Sequence, residues 1–266
     1  MKQIKRALRL HHIFMSQELK KMMEYKGDFL VGIVGFLIGQ IFNMLFIWII
    51  FQQIPSLAGW SIEQVVFIYG FSLIPKGMDH LFFDNLWAIA HFTVRKGEFD
   101  RYLIRPINTL FHVMIEKLQI DAFGELLIGV ALISITLPLL NIEWTIIKVL
   151  LAIVVIPFAT LIYTGIKIIT AAFAFWIKRS GNITYMFYMI NDFAKYPVTI
   201  YNYTIRNIIT YIIPFAFTAF YPAYYILTGE NPLFNIGMSV LLSLIIMVIG
   251  IVIWKKGIKA YESAGS

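Results

Sequence analysis

The 266-residue sequence contains no cysteine. That excludes a disulfide framework, thiol catalysis and thiolate metal sites. It is also poor in charge. Asp, Glu, Lys and Arg make up 14% of the chain, against about 25% in soluble domains. No G-x-x-x-x-G-K-[ST] run occurs, so nucleotide binding through a phosphate loop is excluded. H-E-x-x-H and G-x-S-x-G are missing too, and no 20–50-residue repeat is visible.

What is abundant is apolar surface. Hydrophobic residues reach 59% and the mean hydropathy is +0.77. Too little polar surface remains to cover a water-exposed globule, so most of the chain has lipid as its solvent. The sequence therefore reads as one all-α integral membrane domain. Residues 1–28 are charged and lack a small-residue cleavage site after a short apolar run, unlike a secretory signal.

The formal net charge of +7 fits either nucleic acid or an anionic membrane surface, and the positions of the basic residues choose the membrane. Lys2, Lys5, Arg6, Arg9, Lys20, Lys21 and Lys26 alternate with apolar Ile4, Leu8, Met15, Leu19 and Met22. This spacing predicts an amphipathic helix in the headgroup layer. The His11-His12 pair on it reads as solvated or headgroup-facing. Residues 29–51 form an uncharged run long enough to cross the hydrocarbon as a helix. Gly35 and Gly39 in it give a small-xxx-small face that permits close helix contact.

Further spans are expected at about 65–90, 123–140, 145–175 and 234–254. One more begins at about 182–193 and runs into a proline-broken stretch at 195–232. Seven basic residues lie in 2–26, five in 95–117, two at Lys178-Arg179 and three in 255–259. The segments expected outside hold at most Lys195 and Arg206, and Lys76, Lys148 and Lys167 fall within expected spans. Six crossings put the basic segments, and both ends, on the cytoplasmic side. The predicted layout is a cytoplasmic helix at 1–28, a six-helix membrane domain at 29–254 and a tail at 255–266.

Two clusters carry candidate chemistry. Lys76, Asp79, His80 and Asp84 fall three or four residues apart, on one face of the second span, where they can pair with each other. Ionisable groups at that depth face a bundle interior or a wet cavity. They fit a translocation path or gate, an internally neutralised structural network, or a span displaced toward the cytoplasm. Residues 94–108 are dense in both charge signs. Gly97 and Pro106 would delimit a short helix carrying Arg101 and Arg105 on one face. It suits docking to a soluble partner or a plain solvated loop. In 195–232, Pro214 and Pro222 would interrupt helix hydrogen bonding. Tyr201, Tyr203, Tyr211, Tyr221, Tyr224 and Tyr225 fit an interfacial belt or a gate.

The run Arg95-Lys96-Gly97-Glu98-Phe99-Asp100-Arg101-Tyr102-Leu103-Ile104-Arg105-Pro106 resembles the I-R-x-G-E-x-D-x-x-L-x-R-P signature of ABC-2 family permeases, the membrane subunits of bacterial type-two exporters. Gly59-Trp60-Ser61, Tyr221-Pro222-Ala223 and the closing Tyr261-Glu262-Ser263-Ala264-Gly265-Ser266 resemble pieces of the same family, in the same order.

The resemblance implies six transmembrane helices, an amphipathic elbow at the N-terminus, a cytoplasmic coupling helix between spans two and three, and re-entrant helices before the last span. It implies two copies of a separate ATPase subunit that bind ATP and Mg, and a second permease subunit, identical or homologous. No cofactor is expected in this chain, and no nucleic acid. The expected cargo is a drug, peptide, lipid or glycan. Arg95, Glu98, Asp100, Arg101 and Arg105 would dock the ATPase. Lys76, Asp79, His80, Asp84, Tyr221 and Tyr224 would line the path or gate. A proton-coupled transporter or channel, or a membrane-embedded enzyme using Asp79, His80 and Asp84, are the rival readings.

Overall fold

The structure, a computed structural model, describes residues 9–10, 13–17, 20, 26–119 and 122–263. Among them every regular element is helical, apart from one isolated bridge between Leu57 and Trp60. Most of the expected elbow, with His11 and His12, lies outside the described residues. The pieces at 9–10, 13–17 and 20 are helical, and Phe14 sets its ring 5.7 Å from that of His112.

Helix α1 (Lys26–Gln53) covers the first apolar run. A tight turn follows, with Gly59 at φ +88°. Glycine has no Cβ to obstruct that left-handed conformation. Trp60 then donates its indole N–H to Thr199 at 2.8 Å. Ser61 caps α2 (Ile62–Phe83) with a reciprocal capping box to Gln64. The Gly59-Trp60-Ser61 piece thus turns the chain, anchors the turn and starts the helix.

At Asp84 the helical path breaks. The short α3 (Asn85–Ala88) and a π turn at Ile89–Thr93 carry the chain to the charged segment. That segment holds a single turn, α4 (Asp100–Leu103). A second helix, α5 (Thr109–Ile115), is capped by Asn108, whose side chain accepts from Phe111 N–H at 3.0 Å. Helix α6 (Phe123–Thr136) runs on as a 3₁₀ turn to Leu139. Helix α7 (Ile146–Ala172) is extended by α8 (Ala174–Ile177). Next comes α9 (Gly181–Asn191), of 11 residues. At 1.5 Å per residue it is too short to cross a bilayer by itself.

The stretch after α9 is a series of short 3₁₀, α and π pieces, including α10 (Tyr203–Asn207). It closes with α11 (Phe220–Thr228), which ends at Gly229 with φ +76°. A π turn at Leu233–Gly237 leads into α12 (Met238–Ala260). Helix α12 carries on through Lys255, Lys256 and Lys259, which had been assigned to a tail.

Among the described residues, three helical stretches are long and apolar enough to cross a membrane: Leu30–Gln53, Ile146–Ile177 and Leu233–Ala260. Helix α2 has 22 residues but carries Glu63, Lys76 and Asp79. The apolar helix Phe123–Leu139 is shorter.

Glycine sets two helix crossings. A Cβ on Gly129 would lie 2.9 Å from the Gly70 carbonyl, so α2 and α6 meet backbone to backbone. A Cβ on Gly165 would lie 2.7 Å from Ile246, which packs α7 on α12 in the same way. Among the described residues nothing packs closely on the face at Gly35 and Gly39, which the sequence permits to make a close helix contact. A Cβ at either would meet nothing within 4 Å.

Pro222 does not break a helix, contrary to expectation. It sits in the first turn of α11, where the missing N–H leaves no bond unmade. The tyrosines there divide. Tyr203 and Tyr211 are exposed, while Tyr221 and Tyr225 lie in the core.

Candidate functional site

Two neighbouring regions hold the candidate residues: a charged interior and, at the basic end of the bundle, a charged cap. The interior begins at Pro75, buried inside α2. A proline in mid-helix removes one backbone hydrogen bond and bends the helix. The next turn carries Lys76, Asp79 and His80.

Their spacing lets these residues pair with one another, but they do not. Each reaches to another helix. Asp79, 2% exposed, accepts an ion pair from Lys167 of α7 at 2.6 Å and a hydrogen bond from the Thr164 hydroxyl at 2.7 Å. Lys167 also meets Asp84 at 3.2 Å. His80 Nδ1 lies 3.1 Å from Glu125 Oε2 of α6. The His80 ring stacks on Tyr188 of α9. The Lys76 ammonium sits over the same Tyr188 ring, 4.7 Å from its centroid.

The pairing partners Lys167, Glu125, Thr164 and Tyr188 are the functional candidates that sequence reasoning missed. Lys167 and Glu125 carried a readable signal: Glu125 is the lone charge of its apolar span, and Lys167 is one of two in its span, with Lys148 near the start. Thr164 and Tyr188 carried none.

Beside this network lies a cavity of about 330 Å³. Its wall includes Gly39, Gln40 and Asn43 of α1, Lys76 of α2, and Asn191 and Lys195. A second cavity of about 260 Å³ lies against His80, Asp84, Trp87, Glu125 and Tyr188. Tyr221 and Tyr224 join neither. Tyr221 stacks on Phe217 at 4.4 Å. Tyr224 sets its ring edge-on to Trp60 and donates its hydroxyl to Glu230 at 2.7 Å. The six residues expected on one path therefore fall into two separate groups.

The cap is built on Phe99, which is fully buried. Its ring meets Phe175 at 4.7 Å, Tyr261 at 5.2 Å and Trp254 at 6.1 Å, in edge-to-face arrangements. Those partners come from α8, α12 and the residue after α12. Gly97, at φ +73°, turns the chain so that Phe99 points inward.

Around that anchor the polar side chains are tied down. Tyr102 donates to Glu116, and Arg101 donates to the Tyr102 hydroxyl at 2.9 Å and pairs with Glu116 at 3.1 Å. Burial and the Glu116 bond push the Tyr102 phenol up to about 12. Arg105 donates to His112 Nε2 at 3.0 Å. Burial lowers the His112 pKa, and the nearby Arg105 and Arg101 add to this against the pull of Glu116. The Ser263 hydroxyl donates to Asp100 at 2.6 Å, fastening the end of the chain to the cap.

The expected helix with Arg101 and Arg105 on one face is corrected. The helical turn ends at Leu103, because Pro106 disfavours helical geometry in the residue before it. Arg105 lies past the turn. Arg95, Glu98 and Ile104 are exposed on the outer surface of the cap, and Ile104 is 82% exposed.

The chain is thus a helical bundle with ion pairs and polar cavities between its helices and a charged segment packed on one end. The family profile of the ABC-2 family transporter protein matches residues 37–265. The chain belongs to that family. It is a multi-pass membrane protein of the permease kind, the generally non-enzymatic membrane component of an ABC transporter system that has an ATPase partner. No curated protein and no solved structure matches it.

Proposed function

We propose that this chain is the permease subunit of an ATP-driven exporter in a bacterial cytoplasmic membrane. It moves a hydrophobic or amphipathic cargo by alternating access, powered by a separate ATPase subunit present in two copies. A second permease subunit, identical or homologous, completes the pathway. The observation that carries the reading is the cap at residues 94–108: it presents Arg95, Glu98 and Ile104 outward while Phe99 locks it onto the ends of α8 and α12. A soluble partner pushing on such a cap moves the helices behind it.

Six crossings follow if α2, α6, and α9 with the turn at Asp192–Lys195 complete the three long apolar helices. Seventeen of the 22 basic residues then face the cytoplasm, in keeping with the positive-inside rule. The stretch at 195–232, broken by Pro214, serves as the outer re-entrant region. Broken helices at membrane depth persist where protein buries them, and Phe215 and Phe217 there are buried.

The docking surface is tested by reversing two charges together, Arg95→Glu with Glu98→Lys. Both side chains are exposed, so the permease itself should keep its stability within roughly 0.5 kcal/mol. Capture of the ATPase on the purified permease should fall at least about tenfold, the equivalent of ~1.4 kcal/mol. Unchanged capture and unchanged ATP turnover would remove the cap from the docking role.

A further inference from the structure

The two cavities beside the charged network share a wall. Phe36 of α1, Glu125 of α6 and Tyr188 of α9 line both. On α2 the cavities follow one face of the helix, at steps of three and four residues. Tyr69, Ser72 and Lys76 belong to the larger cavity, and His80 and Asp84 to the smaller. From Tyr69 to Asp84 that face spans roughly 22 Å at 1.5 Å per residue, most of the hydrocarbon thickness of about 30 Å. Helix α1 repeats the pattern. Gln40 and Asn43, the two amide side chains of residues 29–51, line the larger cavity on the same face as Phe36. Phe36 is the apolar member of a polar stripe, and it stands where one cavity meets the other.

The walls are polar and balanced in charge. Around the larger cavity Lys76 and Lys195 are offset by Glu125 and Asp192. Volumes of about 330 and 260 Å³ each have room for several waters, at roughly 30 Å³ apiece. Two of the three shared side chains are held fast. Tyr188 stacks on His80, stands edge-on to Trp87 at 5.6 Å and carries the Lys76 ammonium on its face at 4.7 Å. Glu125 is buried and faces His80 at 3.1 Å. Phe36 is only half-buried. Its ring lies over Gly124, where a Cβ would come within 3.1 Å of it. Only 6% of the apolar window of α1 is buried, against 33% and 28% for the other two long spans. The third shared side chain thus rides on the least packed of the three.

We propose that the two cavities are successive halves of one cargo path along α1, and that the Phe36 ring is the gate between them. With α1 lying on α6 at Gly124, the ring closes the path against Glu125 and Tyr188. A small displacement of α1 lifts the ring and joins the cavities, and little packing opposes that movement. This deepens the permease reading and rests on it.

The test uses the full-length permease in inverted membrane vesicles, whose outer surface is the cytoplasmic face, and a membrane-impermeant methanethiosulfonate. The chain has no cysteine, so an introduced thiol reports on one place. Ala122→Cys puts it on the smaller cavity and Ser72→Cys on the larger. With Phe36 in place, Ala122→Cys should react readily and Ser72→Cys at least about tenfold more slowly. Phe36→Ala should raise the Ser72→Cys rate at least about tenfold. It should leave the Ala122→Cys rate unchanged, which shows the bundle intact. Phe36→Leu should lie between, and Phe36→Tyr should stay slow. Phe42→Ala, at an exposed position of the same helix, should change neither rate.

Equal rates at the two thiols with Phe36 present, an unchanged Ser72→Cys rate in the Phe36→Ala protein, or a Phe42→Ala protein that speeds it as much would each overturn the inference. The permease reading fails separately. Its orientation is lost if Ala122→Cys reacts from outside intact cells and not in inverted vesicles. The effect of Phe36→Ala, read from that face, still decides the gate.

Discussion

Replacing Lys167 with methionine should strip the bundle of roughly 3–5 kcal/mol, the usual loss when one partner of a buried ion pair is removed. Lys167 holds both Asp79 and Asp84, and Asp79 is almost wholly enclosed. Without the ammonium, Asp79 keeps only the Thr164 hydroxyl, and its charge has no compensation in a low-dielectric interior. It must take up a proton or draw in water, and either loosens α2 from α7.

Thermal unfolding in detergent measures the loss. The Asp79→Asn, Lys167→Met double variant should recover much of it, because the neutral amide still accepts from Thr164. Recovery should be incomplete, because Asp84 also loses its partner. A Lys167→Met protein as stable as the wild type would mean that the ion pair contributes nothing to holding α2 on α7.

The second large effect is expected at Phe99. Phe99→Ala removes a fully buried ring that touches Phe175, Trp254 and Tyr261. Emptying such a site costs about 3–5 kcal/mol where the neighbours cannot collapse. The cap is fastened elsewhere by Arg101 to Glu116 and by Ser263 to Asp100. The damage should therefore be a loosened cap in a bundle that still folds. In the assembled transporter the ATPase should still bind, while cargo-stimulated ATP turnover drops by an order of magnitude or more. Phe99→Leu, which keeps most of the apolar volume, should lie between. If Phe99→Ala leaves stability and stimulated turnover intact, the cap does not transmit force through this ring.

Much of this arrangement could be read from sequence, and the failures have physical causes. The long apolar runs stood out because lipid selects side chains one by one, by transfer free energy, and leaves a linear record. Residues 29–51 and 145–175 lie within or close to helices observed at Lys26–Gln53 and Ile146–Ala172. The cap was located by its signature, but its pairing was not. Phe99 and Tyr102 occupy positions where the signature allows any residue, yet they are the two buried side chains of its central turn. Burial there depends on Phe175 and Trp254, far along the chain.

The interior cluster failed in the same manner. Spacing placed Lys76, Asp79 and His80 within reach of one another, and it cannot report that α6 and α7 bring Glu125 and Lys167 closer in space. Helix α5 was missed because seven residues are too few for a periodic signal to rise above a turn-rich segment.

Topology is the claim on which docking, coupling and the cargo path all rest. The chain has no cysteine, so each introduced cysteine is the single thiol and can be probed alone. Glu98, Lys255, Glu143 and Glu230 are exposed and can each be replaced singly with cysteine. A membrane-impermeant maleimide applied to intact cells should label the Glu143→Cys and Glu230→Cys proteins. It should reach Glu98→Cys and Lys255→Cys only after the membrane is opened. Labelling of Glu98→Cys from outside intact cells would put the cap beyond the reach of any cytoplasmic ATPase and contradict the proposal at its base.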